Sequence, residues 1–156
     1  MKDFVNLFTQ LDQTTKTTKK VAALKQYFDE AGEEDKVWTI ALLSHRRPKR
    51  SIRTSLLREW AAEAAGIPLW IFEDSYHVVG DLAETMALVF KSSDSKGSEF
   101  RGGNERGLSY WISYVKSIKE LEDEKKKKKI LEAWDQLDQT ERFVFNKLIT
   151  GGWRMG

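Results

Sequence analysis

The chain has no cysteine, which excludes disulfides, thiolate metal sites and a cysteine nucleophile together. Histidine is almost as scarce. A histidine-based metal centre or a Ser-His-Asp triad has only His45 and His77 to draw on. Apolar runs are a few residues long, against the roughly 20 that a membrane-crossing helix requires. The opening MKDFVNLFTQLDQ carries acidic and amide side chains where a signal peptide needs an unbroken apolar stretch. The chain is therefore expected to be intracellular. It also lacks a GxxxxGK[ST] phosphate loop and the HExxH, GxSxG and GxGxxG patterns, so no catalytic motif with a known mechanism is present. A charge excess of one sign is missing too. With 26 Lys and Arg against 24 Asp and Glu, any argument for a polyanionic partner rests on where the charges sit.

What is present is helical periodicity. With 156 residues, 40% hydrophobic and 32% charged, the chain is long enough for one domain with a single core. Phe4, Leu7, Phe8 and Leu11 recur at i, i+3, i+4 and i+7. After TTKTT, where Thr17 or Thr18 is positioned to cap, Val21, Leu24, Tyr27 and Phe28 form a second stripe, and Gly32 is expected to stop it in a left-handed conformation. Val37, Ile40, Ala41 and Leu43 give a third apolar face, which ends at the basic stretch SHRRPKR. The Arg47-Pro48 step disfavours helix there. A strong helix is predicted from Ser51 to Gly66 on Ile52, Leu56 and Trp60. Pro68 suits the start of the next, which ends at Gly80-Asp81, and Leu82, Met86, Val89 and Phe90 resume the period. Residues 91–107, small, polar and glycine-rich, read as a flexible internal linker. Helices from about Leu108 to Leu121, over EDEKKKKKILEAWDQL and over TERFVFNKLIT complete an all-α domain of roughly eight or nine short helices.

The densest chemical feature is the cluster His45, Arg46, Arg47, Lys49, Arg50, Arg53 and Arg58. A loop of arginines running into a helix N-terminus combines backbone N–H groups, a positive dipole end and guanidinium forks, all suited to phosphate oxygens. A solvated basic loop with ion pairs, such as Arg58 with Glu63, is the plainer reading. Cations just before a helix are nonetheless unfavourable unless an anion sits there, and this favours phosphate. The run Lys125 to Lys129 follows Glu120, Glu122, Asp123 and Glu124, so i, i+4 Glu-Lys pairs on an exposed helix account for it. Gly80-Asp81 and Gly151-Gly152 stand where helices end. Trp38, Trp60, Trp70, Trp111 and Trp134 lie among apolar residues at helical spacing and are expected in the core, while Trp153 falls outside the helices. His77 reads as a structural, hydrogen-bonded histidine.

Taken in order, RRPKR with SLLREWAAEAAGIPLWIFE, YHVVGDLAET and ERFVFNKLITGGWRMG resemble the N-terminal DNA-binding domain of ATP-dependent DNA ligases of bacterial type. The resemblance spans the chain apart from 91–107. It implies a helical domain on the minor-groove side of a nicked duplex, held by phosphate and sugar contacts with little base reading. The matching positions are Arg46, Arg47, Lys49, Arg50 and Arg53 in a first loop, Gly80 with Asp81 in a second, and Thr150, Gly151, Gly152 and Arg154 in a third. Asp81 is better placed to cap its helix than to meet phosphate. The family's catalytic KxDG lysine has no counterpart, because the chain contains no Asp-Gly dipeptide. The resemblance thus implies a non-catalytic fragment over residues 1–156, with nucleotidyltransferase and OB-type domains beyond Gly156. ATP and Mg belong to the parent enzyme and no cofactor to the fragment. A monomer binding double-stranded DNA in the cytoplasm, at the nucleoid, is expected. The competing reading is a helical protein-interaction domain whose basic loop docks an acidic partner. An unrecognised acid/base enzyme would need a cleft with perturbed carboxylates.

Overall fold

A computed structural model describes residues 2–44, 52–90 and 107–150. Among these the chain forms nine helices and no strand: α1 (Lys2–Gln13), α2 (Thr17–Glu30), α3 (Glu33–Leu43), α4 (Thr54–Ala65), α5 (Leu69–Val79), α6 (Leu82–Val89), α7 (Leu108–Ile118), α8 (Asp123–Gln136) and α9 (Gln139–Thr150). The all-α class follows from the periodicity. The linker expected over 91–107 lies outside the described residues except for Gly107, which caps α7.

The core is built around α9. Val144, Phe145, Leu148 and Ile149 are all buried, and α6, α1 and α7 pack against this helix, α6 most extensively. Its start is fixed by a reciprocal cap. Glu141 N–H donates to Asp138 Oδ1 at 2.8 Å and Asp138 N–H donates to Glu141 Oε1 at 3.3 Å, so one first-turn donor and the N–H of the residue just before the helix are satisfied at once. Burial, then the neighbouring Asp138, raises the Glu141 carboxyl above its ordinary value. Helices α4, α5 and α6 follow as successive packed neighbours, with α4 also touching α6. Gly66 and Gly80 terminate α4 and α5 at φ 70° and 81°, left-handed values that cost glycine nothing and an L side chain considerably more. Ile52 and Leu57, at the N′ and N4 positions of α4, are both buried, the arrangement that fixes the angle at which a chain enters a helix.

Several local expectations are corrected. Helix α2 starts after Lys16 with no side-chain cap from Thr17 or Thr18, and it ends at Ala31 in an extended conformation. Gly32, at φ −68°, instead precedes α3, so no left-handed residue is needed. Val21 is 57% exposed, and α2 buries Ala23 and Tyr27. In α3, Val37 and Ile40 are 65% and 55% exposed, while Thr39 and Leu42 are buried. The inner face of α3 is set by hydrogen bonding. Thr39 Oγ1 lies 2.8 Å from Tyr27 Oη and 2.7 Å from Asp35 O, so a polar residue buries at little cost. Trp70 is 66% exposed. It stands two residues before the buried Phe72, hence about 200° around the helix from it. Trp60, Trp111 and Trp134 are buried as expected, and Trp38 is half-buried with Lys116 Nζ 4.1 Å from its ring centroid. His77 is exposed on α5, not enclosed as a structural histidine.

Candidate nucleic-acid interface

Of the ten positions singled out by sequence, Arg46, Arg47, Lys49, Arg50, Gly151, Gly152 and Arg154 lie outside the described residues, as does His45. Arg53, Gly80 and Thr150 are described, one from each expected loop. The fold connects them through packing: Arg53 immediately precedes α4, α4 packs on α6, and α6 packs on α9, which Thr150 ends.

The Gly80-Asp81 turn has the most complete geometry. Gly80 turns the chain at φ 81°, its own N–H donating to Tyr76 O at 2.8 Å. Open space surrounds the site where a Cβ would stand. Asp81 then caps α6, its Oδ1 accepting from Glu84 N–H at 3.0 Å. Its role as a cap was legible in the sequence. The N–H groups of Leu82 and Ala83, in the first turn, have no helical carbonyl to reach. They form the donor-bearing, positive end of α6.

This turn is tied to α9 by polar contacts that the sequence did not announce. Lys147 Nζ donates to Asp81 Oδ2 and forms an ion pair with it. The lysine side chain is only 10% exposed, and a charge so buried demands such a partner. Asn146, fully buried, accepts from Trp134 Nε1 at 2.7 Å and donates to Ala83 O at 3.1 Å. Arg142 Nε donates to Trp134 O at 2.6 Å, with the guanidinium 4.6 Å from the Phe90 centroid. The one signal in the sequence was an Asn-Lys pair inside the apolar run VFNKLI. Thr150 Oγ1 donates back to Asn146 O at 2.8 Å, so its hydroxyl proton is already engaged within α9.

Arg53 is the one described cation of the first segment; its side chain is 77% accessible and reaches Asp123 of α8 at 3.7 Å. Part of the anion expected before α4 is thus supplied by the protein. Arg58 leaves the basic cluster altogether: its Nη1 lies 3.4 Å from both Glu73 carboxylate oxygens, joining α4 to α5. The expected Arg58–Glu63 pair does not form, and Glu63 accepts from Lys127 Nζ at 2.5 Å instead.

A further cap spans the chain. Asp35 Oδ1, in the first turn of α3, accepts from Ser109 N–H at 2.9 Å and so caps α7 from another helix. A Cβ on Gly107 would stand 2.7 Å from Asp35 Oδ2, so a side chain there would have to push the capping carboxylate aside. Both helices flank expected features: α3 leads into residues 45–51, and α7 follows residues 91–106.

A groove of about 80 Å³ between α1 and α2 is lined by Asp3, Gln10, Gln26 and Glu30, among others. It is well below the roughly 300–1,000 Å³ of a typical small-molecule site, and its carboxylates suit no phosphate. Among the described residues no three His, Asp or Glu side chains gather as a metal site, and no helix is long and apolar enough to cross a membrane.

No curated protein matches the chain. A family model described as DNA ligase N terminus matches residues 1–156, the whole chain. The all-helical fold agrees with the resemblance carried by RRPKR, YHVVGDLAET and ERFVFNKLITGG, and on the whole-chain match this protein belongs to the family of DNA ligase N-terminal domains.

Proposed function

We propose that this domain grips nicked duplex DNA from the minor-groove side and presents it for sealing by the catalytic domain of a parent ATP-dependent ligase. Phosphate contacts come from three segments: Arg46, Arg47, Lys49, Arg50 and Arg53; the turn at Gly80; and Thr150, Gly151, Gly152 and Arg154. The domain supplies affinity and orientation without reading sequence. ATP and Mg act in the catalytic part of the parent enzyme. The domain works as a monomer in the cytoplasm, at the nucleoid.

The observation that carries this reading is the locking of the Gly80-Asp81 turn to α9 through Lys147 and Asn146. A domain that holds a duplex by its backbone needs contact points at fixed separation, because phosphates are spaced regularly and offer no other landmark. Here two of the three segments issue from one buried, cross-bonded helix pair. The turn itself offers helix N-terminal donors behind a glycine that leaves room for close approach.

Titrating the chain into labelled nicked duplex, intact duplex and single strand at several salt concentrations tests the proposal. Duplex binding is expected to weaken steeply with salt, since each neutralised phosphate releases counterions. Replacing Arg46, Arg47 and Arg50 with Ala should flatten the log–log salt slope by about 0.9 for each phosphate no longer neutralised. A preference for the nick would reflect deformability at the break. Absence of duplex binding at low salt would sink the proposal and leave the docking of an acidic protein partner as the better account.

A further inference from the structure

Lys147 is a cation where packing alone would place an apolar side chain. Its neighbours Phe145, Leu148 and Ile149 in α9 are buried, and its own side chain is only 10% exposed. The ammonium lies 5.2 Å from the Phe143 ring centroid and donates to Asp81 Oδ2. Capping α6 does not call for that partner. Asp81 Oδ1 already accepts from Glu84 N–H, and the positive end of the helix favours a carboxylate there. At 30% exposure the Asp81 side chain also keeps contact with solvent. Burying an ammonium carries a desolvation cost that attraction within the pair often fails to offset, and a methionine of similar length would fill the space without it.

What the pair supplies is charge balance at the turn. Asp81 as cap and Glu84 in the first turn put two carboxylates at the start of α6, the end whose N–H groups are offered to phosphate in the function proposed above. A phosphate beside an unbalanced Asp81 would be repelled. Two unit charges about 6–8 Å apart, at an effective dielectric constant of about 40–80, cost roughly two- to tenfold in affinity. Lys147 cancels the Asp81 charge from the buried side and is too enclosed to serve as a phosphate contact itself. A purely mechanical link between the turn and α9 would hold the turn equally well and carry no such charge effect.

We infer that Lys147 is a positioning residue for phosphate binding: by neutralising Asp81 it lets a carboxylate cap α6 without repelling the DNA backbone at the Gly80 turn. The inference rests on the DNA-gripping function proposed above. Lys147 acts through Asp81 and touches no DNA.

The test measures nicked-duplex binding across a salt series for the full chain, for Lys147→Met, and for Lys147→Met combined with Asp81→Asn. Helical circular dichroism checks that each variant folds. Asparagine caps a helix about as well as aspartate, so the double variant keeps the cap and removes the unbalanced charge. Lys147→Met is expected to weaken binding about two- to tenfold at low salt, and its ratio to the original chain should shrink as added salt screens the charge. The double variant is expected to return to within about twofold of the original chain. If Lys147→Met loses helical signal, Lys147→Gln makes the same charge change and carries the comparison, alone and with Asp81→Asn. Three results in folded variants would overturn the charge role and leave the grip intact: unchanged affinity without the lysine, a loss that persists equally at every salt concentration, or a loss that Asp81→Asn does not restore. Failure of the original chain to bind duplex would overturn both.

Discussion

Replacing Asn146 with Ala should loosen the domain at the point where two of its expected DNA-contact segments are joined. Asn146 is fully buried and links Trp134 Nε1 to Ala83 O through bonds of 2.7 and 3.1 Å. The substitution strands the indole N–H of the fully buried Trp134, at a cost of about 1–3 kcal/mol. The Ala83 carbonyl suffers less, because it lies inside α6 and keeps the bond that helix geometry provides. The space vacated by the amide adds to the loss, so about 2–4 kcal/mol is expected in total. For a domain of this size that lowers Tm by roughly 5–15 °C, measured by circular dichroism or by urea unfolding. Adding Trp134→Phe removes the stranded donor. The double variant should therefore cost less than the two single losses combined, with a coupling of at least about 1 kcal/mol. A loss below about 0.5 kcal/mol for Asn146→Ala, or strict additivity in the cycle, would refute the view that this amide joins α6, α8 and α9.

Gly107→Ala should destabilise by about 1–2 kcal/mol by pushing Asp35 off its cap on α7, and urea unfolding should show it nearly neutral once Asp35 is already Ala. Trp70→Ala should change stability by less than about 1 kcal/mol because the ring is two-thirds exposed, whereas Trp134→Ala should cost about 3–5 kcal/mol. Glu141 has a folded-state pKa raised chiefly by burial. Its contribution to stability is therefore fully present below its ordinary value of 4.5 and is lost as pH rises through the raised value. Glu141→Gln keeps an acceptor for Asp138 N–H, and unfolding measured across that window should show a flatter pH dependence than the original chain.

The helices were legible because their apolar residues repeat at helical spacing, and Gly66 and Gly80 were legible because only a left-handed residue closes those turns cheaply. Which side of a helix faces inward was harder to read. In α3 and α5 the apolar residues spread around the whole circumference, so the pattern alone does not choose between Val37 and Leu42, or between Trp70 and Phe72. Tertiary partners made the choice: Asp35 and Thr39 turn inward because α7 and Tyr27 supply hydrogen bonds. The same limit applied to the candidate site. Asp81 could be assigned as a cap from its own neighbourhood, but its second partner, Lys147, lies 66 residues further on. The pairing of Lys127 with Glu63 was equally hidden, and local spacing pointed to a different partner.

Whether separate segments of this domain meet one duplex together is tested most directly by NMR. Backbone amide chemical shifts of the isotope-labelled chain would be followed during titration with a nicked duplex. Arg53, Gly80 to Ala83 and Thr150 are expected to shift in concert, with one apparent Kd that weakens as salt is raised. Shifts confined to other surfaces, such as the groove between α1 and α2, or midpoints that differ between the three segments, would contradict a shared grip.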